Sequence, residues 1–278
     1  MGRSVAVDNE DRQRRLPAGR KAKLAAYVAE TGEVTVGALA ERFGVSIDTV
    51  RRDLDQLSAD GVLVRTYGGA VSQSSISRVD RTVDVRLNLE KREKEQIATL
   101  ATSLVKDGSV IMINGGTTTL AVARNLRNHR DLTVATNSLL VPPALPPSAV
   151  REVYVFGGAV RTLTLTTTGP VSLPSAGGAD LDVSCDLALI GVGAVSAEGG
   201  YTTSNLADAA MMREMISRAE RVAILADSSK FGRRLFAQVA ELDAADYLVT
   251  DSTPPPDLLK ALRESEVELV TPETHDAR

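Results

Sequence analysis

Soft metal ligands and thiols are scarce in this chain of 278 residues: one cysteine, Cys185, and two histidines, His129 and His275. A single cysteine excludes an internal disulfide framework. Three scattered soft donors give no dedicated zinc site, although carboxylates leave a hard cation open. Cys185, in DLDVSCDLALIGVG beside a strand, reads as a small buried hydrophobe. Long apolar runs are also missing, and nothing approaches a membrane span. The opening MGRSVAVDNEDRQRRLPAGRK lacks the apolar core of a secretory signal. The expectation is a cytoplasmic protein with no membrane partner, no metal and no cofactor. Apolar residues make up 43% of the chain, which is ordinary for a folded protein. The length supports two domains.

An excess of positive charge is absent too. The chain has 32 Lys and Arg against 36 Asp and Glu, net −4. That average hides a split: residues 1–75 hold 11 basic and 10 acidic residues, and residues 76–278 hold 21 and 26. The first part is near neutral, but its arginines are grouped, and nucleic-acid recognition needs a local patch rather than a basic whole.

What the chain does have is VTVGALAERFGVSIDTVRRDLDQLSADGVLVRTYGGA, 34–70. Before it, residues 1–18 read as a disordered polar tail, and helical spacing of Leu24, Ala25 and Val28 marks a helix over about 19–30. Thr35 caps a second helix, Gly44 makes the turn, and Ser46 caps a third helix with the apolar stripe Val50, Leu54 and Leu57. Val62–Val64 starts a wing that turns at Tyr67-Gly68-Gly69. Residues 19–71 therefore form a winged helix-turn-helix. Ser46, Asp48, Thr49, Arg51 and Arg52 lie off the stripe and are the candidates for the major groove of double-stranded DNA. Serine or nearby N–H groups can meet a phosphate. One arginine can pair with guanine while the other neutralises a phosphate, and the spacing does not assign which. Arg65 and Tyr67 are the wing candidates, with the two glycines allowing close approach to DNA. Asp53 and Asp55 are expected to make charge pairs within the helix, and Arg20 is among the candidate phosphate contacts of the N-terminal stretch.

Residues 72–90 lack period and read as a hinge. Residues 91–278 alternate helices with short apolar strands, the pattern of a largely parallel α/β sheet covered on both faces. Strands are expected at 109–114, 132–136, 151–156, 186–192, 221–226, 247–250 and 267–270, and helices at 90–106, 117–128, 205–219 and 255–265. PPALPPS, 142–148, breaks any helix after Asn137, and TLTLTTTG, 162–169, is either an exposed strand or a mobile loop. INGGTTTLAVARNL, 113–126, is a strand, a glycine turn and a helix start, where free N–H groups favour an anion. It lacks the P-loop lysine and the dinucleotide glycine spacing. Asn137, the 190–205 loop, and Asp227 with Lys230 follow other strands, and such loops converge on one edge of a parallel sheet. Small donors and one lysine suit a phosphorylated sugar or polyol.

The chain resembles the DeoR/GlpR family of bacterial sugar-metabolism regulators. The match rests on residues 37–70, GGTTTLA 115–121, TNS 136–138, GGAVR 157–161, IGVGA with EGGYTT across 190–203, and SKFG 229–232. The resemblance implies a sensor domain similar to ribose-5-phosphate isomerase, usually non-catalytic, and repression relieved by a phosphorylated sugar. It places helix-three contacts on Ser46, Thr49, Arg51 and Arg52, and phosphate cradling on Gly116, Thr117 and Thr118. Asn137, Gly157, Gly158, Arg161, Asp208 and Lys230 complete the implied effector pocket. The chain departs from the family at Asn114, commonly aspartate, which can still hydrogen-bond a sugar hydroxyl. It departs again at Ala210, Met212 and Ser228. A sugar-phosphate isomerase and an activator with another ligand are the competing readings. One recognition module per chain implies a homodimer or homotetramer on paired half-sites.

Overall fold

The computed structural model describes residues 17–31, 33–60, 62–66, 68–72, 83–174 and 180–275. The chain divides into two compact units, Met1–Leu89 and Glu90–Arg278. The tail 1–16, Tyr67 and most of the hinge, 73–82, lie outside the described residues.

The first unit runs α1 Pro17–Thr31, β1 Glu33–Thr35, α2 Val36–Phe43, α3 Ile47–Ala59, β2 Leu63–Thr66, β3 Gly69–Ser72 and α4 Val83–Asn88. Both expected caps form. The Thr35 hydroxyl accepts from Ala38 N–H at 3.2 Å, and the Ser46 hydroxyl accepts from Thr49 N–H at 3.2 Å. Gly44 closes α2 in the left-handed region, φ 62°, where a Cβ is disfavoured. Leu24, Val28, Leu39, Val50, Leu54 and Leu63 fill the core, each contributing roughly 1.5–3 kcal/mol by leaving water. The strands form an antiparallel sheet in the order β1-β3-β2. This sheet assigns Gly69 a different task from close approach to DNA. A Cβ there would lie 2.0 Å from the Val34 carbonyl oxygen, so its smallness lets β3 pair with β1.

The second unit begins with α5 Lys91–Thr102, β4 Val110–Ile113, α6 Thr117–Asn125, β5 Leu132–Thr136, α7 Val141–Ala144 and β6 Val150–Val155. Short strands follow: β7 Ala159–Arg161, β8 Thr166–Thr168, β9 Ser172–Pro174 and β10 Asp180–Asp182. The rest is β11 Cys185–Gly191, β12 Ala194–Ser196, β13 Gly200–Thr203, α8 Leu206–Ser217, β14 Ala219–Leu225, β15 Ala237–Ala240, β16 Tyr247–Val249, α9 Pro256–Glu264, β17 Glu268–Val270 and α10 Pro272–His275. All seven expected strands join one sheet, in the order β17-β16-β14-β11-β4-β5-β6. Every neighbouring pair is parallel. Met112, Ala188, Ile190 and Ile224 bury its centre, with Met215 and Leu258 from the helices. Cys185 is buried as expected, and burial pushes its thiol up to about 12.

The threonine run is neither an exposed strand nor a mobile loop. Residues 162–165 turn, β8 pairs antiparallel with β7, and Thr166 and Thr167 are buried. Burial of Thr167 is tolerated because its hydroxyl donates to the Phe156 carbonyl at 2.6 Å. Antiparallel strands β12, β13 and β15 form a further small sheet that periodicity did not indicate. Proline limits α7 to four residues.

Candidate DNA interface and effector site

In the first unit, α3 is oriented by ion pairs that come from other elements. Arg20 of α1 grips Asp53 through Nε at 2.6 Å and Nη2 at 3.2 Å, with both side chains nearly buried. Hydrogen bonding to Asp53 raises the Arg20 pKa above its ordinary value despite the opposing effect of burial. Asp55 binds Arg65 of β2, which also donates to the Arg51 carbonyl at 3.4 Å. These partners correct the expected pairing of Asp53 and Asp55 within their own helix. Both carboxylates are turned toward neighbouring elements, and intrahelical geometry does not compete with a planar guanidinium fork. Arg20 is consequently a buried strut rather than a phosphate contact, and Arg65 has a structural partner besides any DNA role.

Arg51 and Arg52 remain exposed on α3. Arg51 meets Asp48 at 3.5 Å, but both side chains are more than half exposed, so this pair holds little energy and yields easily to a phosphate. Ser46 and Thr49 share a hydroxyl contact at 2.9 Å beside the cap. Ile47, at the first position of α3, is 48% exposed. Sequence reasoning missed it because Ile47 lies three residues before Val50 and so continues the core spacing.

The second unit has a topological switch point. From β4 the chain proceeds to β5 and β6 on one side, while β11 flanks β4 on the other and leads to β14, β16 and β17. Connections from the carboxyl ends of β4 and β11 thus part in opposite directions, and in open α/β sheets that divergence is where a ligand crevice normally lies. Asn114 bridges the two strands there. Its carboxamide donates to the Gly191 carbonyl at 2.9 Å and accepts from Gly191 N–H at 2.8 Å. Each of its two groups makes one bond in this clamp, which leaves one N–H and one lone pair for another partner.

Asn137 is the second brace. It accepts from Gly115 N–H at 2.7 Å and donates to the Thr167 carbonyl at 2.9 Å, joining the first loop to β8. A Cβ on Gly115 would come within 2.0 Å of Thr166 Cγ2, so the glycine is required by packing. Gly116 begins α6 in extended backbone with no side-chain cap. Thr119 instead donates back to the Asn114 and Gly116 carbonyls, at 2.7 and 3.0 Å. Thr117 and Thr118 are nearly buried in this first turn.

Gly158, φ 123°, packs against the Thr168 carbonyl, while Gly157 has open space around it. Arg161 on β7 is ion-paired with Asp208 in the first turn of α8, which brings two expected pocket residues together. Lys230 ends the single turn Ser228–Lys230 after β14. That turn is capped by Asp227, whose Oδ1 accepts from Ser229 N–H at 3.2 Å. Asp227 is fully buried, and its Oδ2 has no hydrogen-bond partner among the described residues. Ser228 is bound through N–H and hydroxyl to Asp251, at 2.7 and 2.9 Å. Met212 packs into the core, whereas Ala210 is exposed. Among the described residues no helix is long and apolar enough to cross a membrane, and no cluster of His, Cys, Asp and Glu could hold a metal.

A winged helix-turn-helix joined to a parallel α/β unit defines a class of DNA-binding transcription regulators. Two family models match: a DeoR-like helix-turn-helix domain over residues 20–76 and a DeoR C terminal sensor domain over residues 89–252. The chain belongs to the DeoR family of transcriptional regulators. It is 32% identical over 254 residues to the HTH-type transcriptional repressor CsqR of Escherichia coli K12, covering 91% of this chain and 95% of that one. It is 29% identical over 242 residues to the glycerol-3-phosphate regulon repressor of the same strain, covering 87% and 94%. A solved D-ribose-5-phosphate isomerase in complex with phospho-erythronic acid resembles it at TM-score 0.35 and 18% identity, covering 51% of this chain and 54% of that one.

Proposed function

We propose that this chain represses an operon for uptake or breakdown of a sugar or polyol, and that a phosphorylated form of that compound releases it from its operator. The first turn of α6 at the switch point is the observation that carries the reading. Gly116 leaves the helix start without a side-chain cap, and the Thr117 and Thr118 N–H groups bring the positive end of the helix dipole to a phosphate. Lys230 supplies a positive charge from the β14 loop. The buried Asp227 Oδ2 suits a ligand hydroxyl, because an acceptor left unsatisfied costs about 1–3 kcal/mol. Asn137, Gly157, Gly158, Arg161 and Asp208 shape the rim, with Arg161 and Asp208 acting as a pair. The relative named for a glycerol-3-phosphate regulon supports this chemical class.

On the DNA side, Arg51 and Arg52 divide guanine and phosphate contacts, Ser46 and Thr49 flank them, and Ile47 offers its side chain to a thymine methyl. Two copies read two half-sites. Release requires the effector to favour the DNA-free state, so operator and effector must weaken each other's binding by the same factor.

Calorimetric titration of the protein with fructose 1-phosphate, fructose 6-phosphate, glucose 6-phosphate, ribose 5-phosphate, tagatose phosphates and glycerol 3-phosphate tests the reading. One should bind, its unphosphorylated form should be silent, and Lys230→Ala should weaken it. Equal affinity for that ligand with and without operator would overturn the release mechanism.

A further inference from the structure

We infer that Asp251, just past the end of β16, is a positioning residue for the effector: it sets the turn Ser228–Lys230 and, through that turn, the Lys230 ammonium. The inference rests on the proposed anion site and names a residue that supports it from a neighbouring strand.

The turn after β14 is too short to hold itself. It has three residues, and starting a helical turn costs more conformational freedom than its first bonds return. Its internal bonds run from Lys230 N–H to the Asp227 carbonyl at 2.9 Å and from Phe231 N–H to the Ser228 carbonyl at 3.3 Å. The chain is tied on either side of it. Ala226 N–H donates to the Val249 carbonyl at 3.2 Å, and Gly232 N–H donates to the Val195 carbonyl at 2.9 Å. Between these ties, the two leading N–H groups of the turn go to carboxylates. Asp227 accepts from Ser229 N–H, and Asp251 accepts from Ser228 N–H.

Asp251 stands on a fixed base. Thr250 beside it is fully buried, and its N–H donates to the Val270 carbonyl of β17 at 3.0 Å. From there both carboxylate oxygens close on one residue, Oδ1 on the Ser228 N–H at 2.7 Å and Oδ2 on the Ser228 hydroxyl at 2.9 Å. Two bonds to one partner fix direction as well as distance. The second bond needs a hydroxyl, and Ser228 is a position at which this chain departs from the family.

With the Ser228 and Ser229 N–H groups occupied, the turn meets an anion through the Lys230 side chain rather than through its backbone. An ammonium on a flexible stem loses less freedom on binding when the backbone beneath it is already placed. Asp251 therefore acts on the ligand through Lys230, with its own carboxylate spent on Ser228.

Asp251→Ala and Asp251→Asn in the full chain test this with and without ligand. In the free protein, hydrogen exchange over residues 228–231 should quicken in Asp251→Ala and stay as in the wild type in Asp251→Asn, whose amide can accept from the Ser228 N–H and donate to its hydroxyl. Calorimetric titration with inorganic phosphate should show about tenfold weaker binding in Asp251→Ala, the weight of the lost bonds, and wild-type binding in Asp251→Asn. In a Lys230→Ala background, Asp251→Ala should cost nothing further, whereas a general loosening of the fold would persist there. Unchanged exchange in Asp251→Ala overturns the positioning role, as does an equal loss of phosphate affinity with and without Lys230. If exchange responds as expected but Lys230→Ala binds phosphate like the wild type, the anion site at Lys230 fails and the inference with it, while the brace on the turn stands.

Discussion

In the small unit a nearly buried polar contact is an ion pair, Arg20 with Asp53, whereas at the switch point of the large unit the neutral carboxamide of Asn114 sits on a backbone. Helix α3 carries three aspartates within eight residues, Asp48, Asp53 and Asp55, on an element proposed to meet phosphates. Pairing two of them with Arg20 and Arg65 cancels their repulsion and anchors the helix, leaving Arg51 and Arg52 available. The crevice has the reverse requirement. A fixed ion pair on its floor would already satisfy the charges that an anionic ligand needs. Amides and hydroxyls hold the β4 loop there, the Arg161–Asp208 pair stands at the proposed rim, and the proposed attraction comes from N–H groups and Lys230.

Breaking the small unit's ion pair should have the largest effect. Arg20→Ala leaves Asp53 buried and unpaired, and should remove about 3–5 kcal/mol from that unit. Hydrogen exchange over residues 17–72 measures this, and unchanged protection would mean that Asp53 finds water instead. Next comes the corresponding brace of the crevice. Asn137→Ala orphans the Gly115 N–H and the Thr167 carbonyl, at about 1–3 kcal/mol each. Denaturant unfolding should show the loss, and effector titration should show a more than tenfold weaker ligand. Arg52→Ala should leave stability within about 0.5 kcal/mol and weaken a cognate operator by about 1–3 kcal/mol in fluorescence anisotropy. Equal weakening on cognate and scrambled DNA would reassign Arg52 to a phosphate. The smallest effect is expected at Cys185. Its buried, raised thiol should stay unalkylated in the native protein at neutral pH, with mass spectrometry detecting label only on unfolding.

The parts of this fold that were legible in the sequence are those set within a few residues. Thr35 and Ser46 sit one position before their helices, and Val110–Ile113 or Leu187–Ile190 are continuous apolar runs that only a doubly covered strand explains. The candidate pocket was legible as a set of loops because parallel strands deliver their carboxyl ends to one edge. Interactions spanning the chain were not legible. Arg20 and Asp53 are 33 residues apart, and Asn114 and Gly191 are 77 apart. No local pattern distinguishes an aspartate that pairs along its helix from one that turns to another element. The threonine run failed for a related reason: its burial depends on hydroxyl partners at Asn137 and Phe156, which periodicity does not register.

The Asn114 clamp also bears on how the protein ages. Asn114-Gly115 is the dipeptide in which a backbone nitrogen most readily attacks the preceding side-chain amide, since glycine offers no steric shield. Here the carboxamide is held at both ends by Gly191, and the Gly115 N–H is directed to Asn137. Cyclisation requires breaking all three bonds at once. A molecule that did deamidate would lose the donor to the Gly191 carbonyl and keep only the bond from Gly191 N–H, so the bonds that brace the two strands also protect the chain's most perishable covalent step.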